Sequence, residues 1–474
     1  MEVVLMAGIV SFGAYIPYNR LDRKLIRQEY GGAVPKGEKA VANFDEDSLT
    51  MAVAAALDCA QGFDSSTLDR VYYATTSPPY EEKGSSAVIA GTLDMGKDVK
   101  TMDVVGSLRS GSSSMIAALD AAEKGERVMV AISDKRRGAA NGQFENILGD
   151  GAAAFIFGNT DVIAEVLGVH SISVEFTDTW RSENFRYLRN WEERFCTTQA
   201  YTPFTTEAGL KVMEKTGLKP ADFAKVVVYG FKERDGQKVI RKLGFSPEQL
   251  QSNFIDQIGN TGAACAPMAL VAALEEAQPQ DKILFINYGE GSDAIVFQVT
   301  DAILKLSPRR GVRGHINTKK SEMTYGKYLI WKEMIETEPL RRPPLVRPSL
   351  PDRYRNQKKI LGFYGSKCTE CGTPQFPASR VCIHCKAIDK YEEYRFYGKK
   401  GIIATYTVDY LAATPDPPTI MAVVDYEGGG RFVCLMTDCD PDKVRVGMEV
   451  ELSFRKLFTQ DGLVTYFWKA IPPR

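Results

Sequence analysis

Histidine is nearly absent from this chain. Three occur in 474 residues, His170, His315 and His384, and none follows a strand leading into a Gly-rich or Asn-bearing turn, where an active-site imidazole would sit. That scarcity removes the usual base for a serine or cysteine nucleophile. His170 falls on an early strand of the second half and reads as structural, His315 lies in a connector, and His384 sits between two cysteines. Charge of one sign is also missing. With 59 basic and 60 acidic residues the net charge is −1, so no general field draws in nucleic acid or an anionic membrane. No apolar run reaches the ~18 residues of a membrane span, and the opening Met-Glu-Val-Val-Leu-Met lacks the basic start of a secretory signal. Nine cysteines are an odd number without the density of a disulfide scaffold, which suits a reducing compartment. The expectation is a soluble cytoplasmic protein with no nucleic-acid and no membrane partner.

What is present centres on Asp103 to Leu119. This stretch reads as a short buried strand, a Gly/Ser-rich turn and a helix whose first turn holds only small residues. Such an elbow presents free N–H groups at a helix N-terminus, where an anion or a thiolate is favoured. The stretch is also half of a repeat: Ala117 to Ile132 aligns without gaps with Ala272 to Asn287, 155 positions on. Each copy is an Ala-rich helix, a polar turn and a buried strand, and each is followed by a Gly turn and an apolar strand, Gly149 to Phe157 and Gly289 to Phe297. A period of that length is too long for a solenoid and predicts a duplicated α/β domain with paired central helices. Residues 46 to 61 predict an amphipathic helix capped by Asp47 or Ser48. The aromatic and charged insertion from Phe176 to Phe204 reads either as a loop with a short helix over the core or as a cap or partner surface.

After residue 300 the composition changes. Ser307 to Arg313 is basic and turn-rich, Tyr325 to Glu336 is an amphipathic helix, and Pro339 to Pro351 holds five prolines, which together read as a tether with a docking helix. Cys368-Thr-Glu-Cys371 and Cys382-Ile-His-Cys385 then form two C-x-x-C knuckles ten residues apart. Four thiolates at that spacing close a tetrahedral zinc site with no open position, hence structural Zn2+. Beyond Arg395, five short strands with Gly428-Gly-Gly430 as a hairpin turn predict a small barrel. The predicted domains are 1–160 and 161–302, the two halves of the repeat, then 303–360 linker, 361–394 zinc ribbon and 395–474 barrel.

Several separated motifs carry a family resemblance. Gly8 to Pro17, Gly37-Glu-Lys-Ala40, Asp45-Glu-Asp47, Phe144 to Phe155, Lys242-Leu-Gly-Phe245 and Ile258-Gly-Asn-Thr261 together resemble the archaeal-type hydroxymethylglutaryl-CoA synthases of the thiolase superfamily, over roughly residues 5 to 300. The zinc ribbon and barrel resemble the OB-fold acyl-CoA-associated proteins that accompany such enzymes. The resemblance implies a fold class of α/β with a duplicated thiolase fold, followed by a zinc ribbon and a small OB-type β-barrel. It also implies Claisen chemistry on acyl-CoA, in which a cysteine at the elbow carries the acyl group, a glutamate acts as acid/base and a histidine polarises a carbonyl.

The departures from that pattern decide the functional expectation. Leu108 falls at the cysteine, Thr76 at the glutamate and Tyr229 at the histidine, while Asn260 retains the family's asparagine. An asparagine there also caps the second central helix. Lys232 suits contact with a CoA phosphate, and Ser107 among the elbow serines is an alternative nucleophile for which Glu145 or Lys232 would have to act as base. Two readings follow. The first is a non-catalytic, acyl-CoA-associated subunit of a thiolase-type complex that makes or breaks C–C bonds, dimerising through its thiolase fold and taking its catalytic Cys and His from a partner thiolase. The alternative is an active hydroxymethylglutaryl-CoA synthase-like acyltransferase with a rearranged site.

Overall fold

In the computed structural model residues 7–32, 36–338 and 349–474 are described. Residues 339–348 of the proline-rich tether lie outside them. The chain divides into two compact units, one of residues 1–42, 47–90 and 95–334 and one of 43–46, 91–94 and 335–474.

In the first unit the strands are β1 (Gly8–Tyr15), β2 (Arg70–Thr75), β3 (Lys100–Val105), β4 (Val128–Asp134), β5 (Gly151–Gly158), β6 (Ala164–Ser173), β7 (Lys225–Val228), β8 (Lys282–Tyr288) and β9 (Gly291–Val299). They run in the order β7-β8-β9-β6-β1-β5-β4-β2-β3. The repeat is visible in the pairing. Each copy ends in an antiparallel pair, β4 with β5 and β8 with β9, and within the sheet the two halves meet at Gly8↔Glu165 and Ile9↔Ala164.

Three helices complete the frame: α1 (Ser48–Cys59), α2 (Ser110–Ala122) and α3 (Cys265–Glu276). For α1 the side chain of Asp47 accepts from Thr50 N, a capping box that selects Asp47 over Ser48. Helices α2 and α3 are the paired central helices, and every residue of α3 from Cys265 to Leu274 is buried. Their starts nearly touch: a Cβ on Gly111 would lie 2.9 Å from the Ala263 carbonyl oxygen. The small residues of the elbow are therefore a packing requirement.

The stretch from 303 to 334, read from composition as part of a tether, belongs to this same unit. Its helix Tyr325–Trp331 buries Tyr325, Tyr328 and Trp331, and Lys332 pairs with Asp150 at 2.7 Å with both side chains buried. Composition registers the lysines and arginines here, whereas the aromatic face sets the packing. A neighbouring helix, Gly311–Asn317, is capped by Glu275, which accepts from Val312 N at 2.7 Å.

The second unit contains a three-stranded ribbon built on Tyr364–Cys368 and a closed five-stranded barrel of 401–409, 419–426, 431–436, 449–460 and 463–471. Gly428, Gly429 and Gly430 all take positive φ in the predicted hairpin turn, where a side chain would be strained. Inside this unit lies a buried ionic network: Arg455 pairs with Asp45 at 3.2 Å, Glu46 at 2.7 Å and Asp438 at 2.6 Å, and Lys469 pairs with Asp45 at 2.8 Å. Burial alone would raise the pKa of Asp45, but Lys469 and Arg455 outweigh it and hold the carboxyl below its ordinary value. Among the described residues no helix is long and apolar enough to cross a membrane.

The Glu275 cap has a pH signature. Burial pushes its carboxyl up to about 7, because the Val312 and Arg313 N–H groups offset only part of the desolvation. A carboxyl with a raised folded pKa costs stability as it ionises, so stability falls as pH rises from the ordinary carboxyl value through 7. Urea unfolding at pH 5 and pH 8 should show E275Q removing a slope on the order of 2 kcal/mol across that window.

Candidate functional site

The elbow lies where expected, between β3 and α2. Two of its serines are engaged in structure. Ser112 Oγ donates to Asp293 at 2.6 Å, and Ser114 Oγ donates to the Ser110 carbonyl at 2.7 Å. Arg109 forks onto Asp293 at 2.7 and 3.2 Å, so the first half's elbow is tied to β9 of the second. Ser107 differs from the others. Its hydroxyl donates to the Glu290 carboxylate, a base partner that the spacing of the sequence did not suggest.

Leu108 and Thr76 meet at one cavity of about 250 Å³, lined also by Pro78, Val105, Arg136, Arg137, Trp180, Arg181, Leu188 and Glu290. Leu108 is buried and offers the cavity a hydrocarbon. Tyr229 lies deeper, fully buried behind Asn260, which donates to its hydroxyl at 3.2 Å. Burial pushes the Tyr229 hydroxyl well above its ordinary pKa, so it stays a neutral phenol and is no base. Asn260 in turn accepts from Gly262 N at 3.0 Å and from Arg136 Nη2 at 2.6 Å.

The centre of this arrangement is Asp134, at the C-terminal end of β4 and fully buried. Its Oδ1 accepts from Thr75 Oγ1 at 3.0 Å, Thr76 N at 2.7 Å, Thr76 Oγ1 at 2.9 Å and Ser77 Oγ at 2.8 Å, and its Oδ2 accepts from Ala263 N at 2.7 Å. One carboxylate thus fixes the turn that carries Thr76 and the approach to α3.

The insertion supplies Thr179, Trp180, Arg181 and Leu188 to the cavity wall, through a short hairpin pairing Thr179–Trp180 with Arg189–Asn190. The segment also carries the short helix Glu193–Cys196, and Phe176 and Phe204 pack against the core, as its loop-with-helix reading expects. Lys232 stands apart from the cavity with its ammonium paired to Glu193, so contact with a CoA phosphate would have to compete with that carboxylate. Glu145 is also committed, accepting from Asn141 N at 2.7 Å and Tyr325 Oη at 2.8 Å. Cys265, at the start of the second central helix, is buried and its thiol is pushed up to about 12 by desolvation, the signature of an inert cysteine.

In the second unit Cys368, Cys371, Cys382 and Cys385 bring all four sulfurs within 4.8 Å of one another. Cys368 and Cys385 are 3.7 Å apart and Cys371 and Cys382 3.5 Å. Tetrahedral Zn–S bonds of about 2.3 Å put sulfurs about 3.8 Å apart, so the four ligands fit the ion.

Sequence reasoning missed Asp134, Arg136, Arg137 and Arg181. The signal was Lys135-Arg-Arg137 directly after a buried strand, since in open α/β sheets ligands bind beyond the carboxyl ends of strands.

Residues 213–298 match the family of 3-oxoacyl-[acyl-carrier-protein] synthase III C-terminal domains, residues 358–389 the ChsH2 rubredoxin-like zinc ribbon domain, and residues 394–455 the ChsH2 C-terminal OB-fold domain. The chain is 30% identical over 343 residues to a hydroxymethylglutaryl-CoA synthase of Methanopyrus kandleri, covering 69% of this chain and 98% of that protein. It is 31% identical over 345 residues to one of Methanocaldococcus jannaschii, covering 70% and 100%. A crystal structure of HMG-CoA synthase complexed with CoA superposes with a TM-score of 0.61 at 18% identity, over 68% of this chain and 89% of that one. The 3-oxoacyl-[acyl-carrier-protein] synthase III of Aquifex aeolicus gives 0.53 at 21% identity, over 62% and 99%.

If Asp134 is the hub of the site, D134A strands buried donors from two loops. The expected cost is about 3 kcal/mol or more in urea unfolding, while T76A, which removes one of five bonds, should cost about 1 kcal/mol.

Proposed function

The chain belongs to the hydroxymethylglutaryl-CoA synthase family, with a ChsH2-type zinc ribbon and OB-fold at its C-terminal end, and from that premise we propose that it is a non-catalytic, acyl-CoA-associated subunit of a thiolase-type complex. Leu108 carries this reading. Acyl transfer by the family's route needs a thiolate or alkoxide at the elbow, and a leucine there can form no thioester. The other two positions agree with it. Thr76 is spent on Asp134, and Tyr229 is a buried phenol held by Asn260. The fold is kept while the chemistry goes to a partner thiolase that brings Cys and His, with the thiolase fold of this chain as the dimerising surface and its zinc and OB module near the CoA thioester. The four-cysteine cluster holds one structural Zn2+. A reducing cytoplasm suits a chain that keeps four thiolates for a metal ion.

Ser107 keeps a second reading in play. Its hydroxyl already donates to Glu290, and a carboxylate in that position is the one group that could take the proton if this serine were acylated. Under this reading the chain is itself an acyltransferase.

Native mass spectrometry of the protein purified from its own source separates the two. A stoichiometric second chain of thiolase size, together with no acyl adduct on the isolated chain after incubation with acetyl-CoA, is the expected outcome. Turnover by the isolated 52.5 kDa chain, abolished by S107A, would overturn the proposal. For the metal, elemental analysis should give one zinc per chain, and chelation or C371S should lower the melting temperature by several degrees, because binding of a structural zinc is folding free energy.

A further inference from the structure

The last stretch of the first unit along the chain, which runs to Met334, is seated over a lysine that lacks a counter-ion. Lys39 is 1% exposed, and its Nζ reaches only the Glu145 carbonyl and the Tyr328 hydroxyl, the latter at 2.9 Å. Among the described residues no carboxylate lies within ion-pair distance of it. The acids around it are committed. The Glu145 carboxylate accepts from Asn141 N and Tyr325 Oη, and the oxygens of Asp150 accept from Lys332 Nζ at 2.7 and 3.0 Å and from Ala42 N at 2.8 Å. The other cations facing Lys39 are Lys332 and Arg23, which repel a charge there, while Glu145 and Asp150 attract it. The Tyr328 ring, its centroid 4.3 Å from Nζ, returns only part of what a charge loses on burial. Counting bonds points the same way. As an amine, Lys39 can donate to the Glu145 carbonyl and accept the Tyr328 proton; as an ammonium it has no lone pair, and the Tyr328 proton is left without an acceptor among the described residues. Burial, and after it Lys332, push the Lys39 ammonium down to about 7, and burial pushes the Tyr328 hydroxyl well up, so it stays a phenol.

We propose that the stretch from Tyr325 to Met334 is a proton-coupled latch on the cavity wall: seated, it holds Lys39 as a neutral amine, and when it lifts, Lys39 takes up one proton from water. The latch reaches the cavity through Glu333, whose carboxylate pairs with the lining residue Arg137 and whose carbonyl accepts from Arg186 of the insertion. Lys332 on Asp150 and Tyr325 on Glu145 hold it to the connection between β4 and β5. The sign follows from the proton count. From the ordinary lysine value down to about 7 the lifted state binds one proton more than the seated state, so acidification across that window favours lifting and a rise in pH favours seating. Below 7 both states are protonated and the slope ends. Glu275, in the same unit, carries the opposite sign, because its raised pKa makes stability fall as pH rises. The latch needs neither a nucleophile nor a partner, so it holds for a scaffold and for an acyltransferase alike.

The test is hydrogen–deuterium exchange of the full-length chain at about pH 6.5 and about pH 8.5, read by mass spectrometry and corrected for the intrinsic pH dependence of amide exchange, so that it reports local opening. Peptides covering residues 325–334 should open at least about tenfold more readily at the lower pH, while peptides from α3 should show no such increase. K39M, close in length and unable to take up a proton, should exchange at the same corrected rate at both pH values. Y328F serves if K39M fails to fold. It removes the hydroxyl partner of the amine, so these peptides should exchange severalfold faster than in the unsubstituted chain at both pH values, with the pH slope retained. Equal corrected rates at both pH values in the unsubstituted chain, a slope that survives in K39M, or Y328F exchanging as the unsubstituted chain does would overturn the inference.

Discussion

A single buried carboxylate organises the region where this fold does its work. Asp134 ends a strand in the middle of the first half's sheet, and its two oxygens reach in different directions, one to the Thr75–Ser77 turn and one to the backbone ahead of the second central helix. All five of its partners are neutral donors. Its charge is held by oriented dipoles, with the Arg181 guanidinium as a further electrostatic partner. The loops of both halves can settle only around this carboxylate.

The duplication supplies the rest of the rigidity. Two copies of a strand, elbow and helix place two helix starts face to face, and glycine at 111 lets them approach to a distance that a side chain would block. Arg109 and Asp293 then lock the first elbow onto the second half's last strand. None of these features requires a nucleophile. The frame rests on Asp134, Gly111 and the Arg109–Asp293 pair.

Legibility in the sequence followed the physics of each signal. The repeat, the elbow and the metal knuckles are patterns of local spacing, and local spacing survives in a linear string. Leu108 was legible as part of the site because it sits inside an elbow recognisable by its glycines and serines, and it lines the cavity. Arg181 was not, since it reaches the cavity from an insertion about seventy residues after the elbow, and nothing in its own neighbourhood marks it. The proximity of Ser107 and Glu290 was hidden for the same reason, being a contact between the two halves. The stretch 303–334 misled because its lysines and arginines suggest solvent, while three buried aromatics on one short helix give it a place in the core.

The C-terminal unit is discontinuous along the chain. Its buried charges count residues 43–46 among their number, and Lys469 finds its carboxylate in Asp45, more than four hundred positions earlier. A gene cut at the proline-rich segment would therefore not release a finished ribbon-and-barrel protein. It would release one with a buried ammonium lacking its counter-charge and with Arg455 short of two of its acids. Evolution could separate the two parts into independent subunits only by first rewriting that interior, so the fusion is a ratchet: simple to enter by joining two genes, and hard to leave once Asp45 has become part of the barrel's interior.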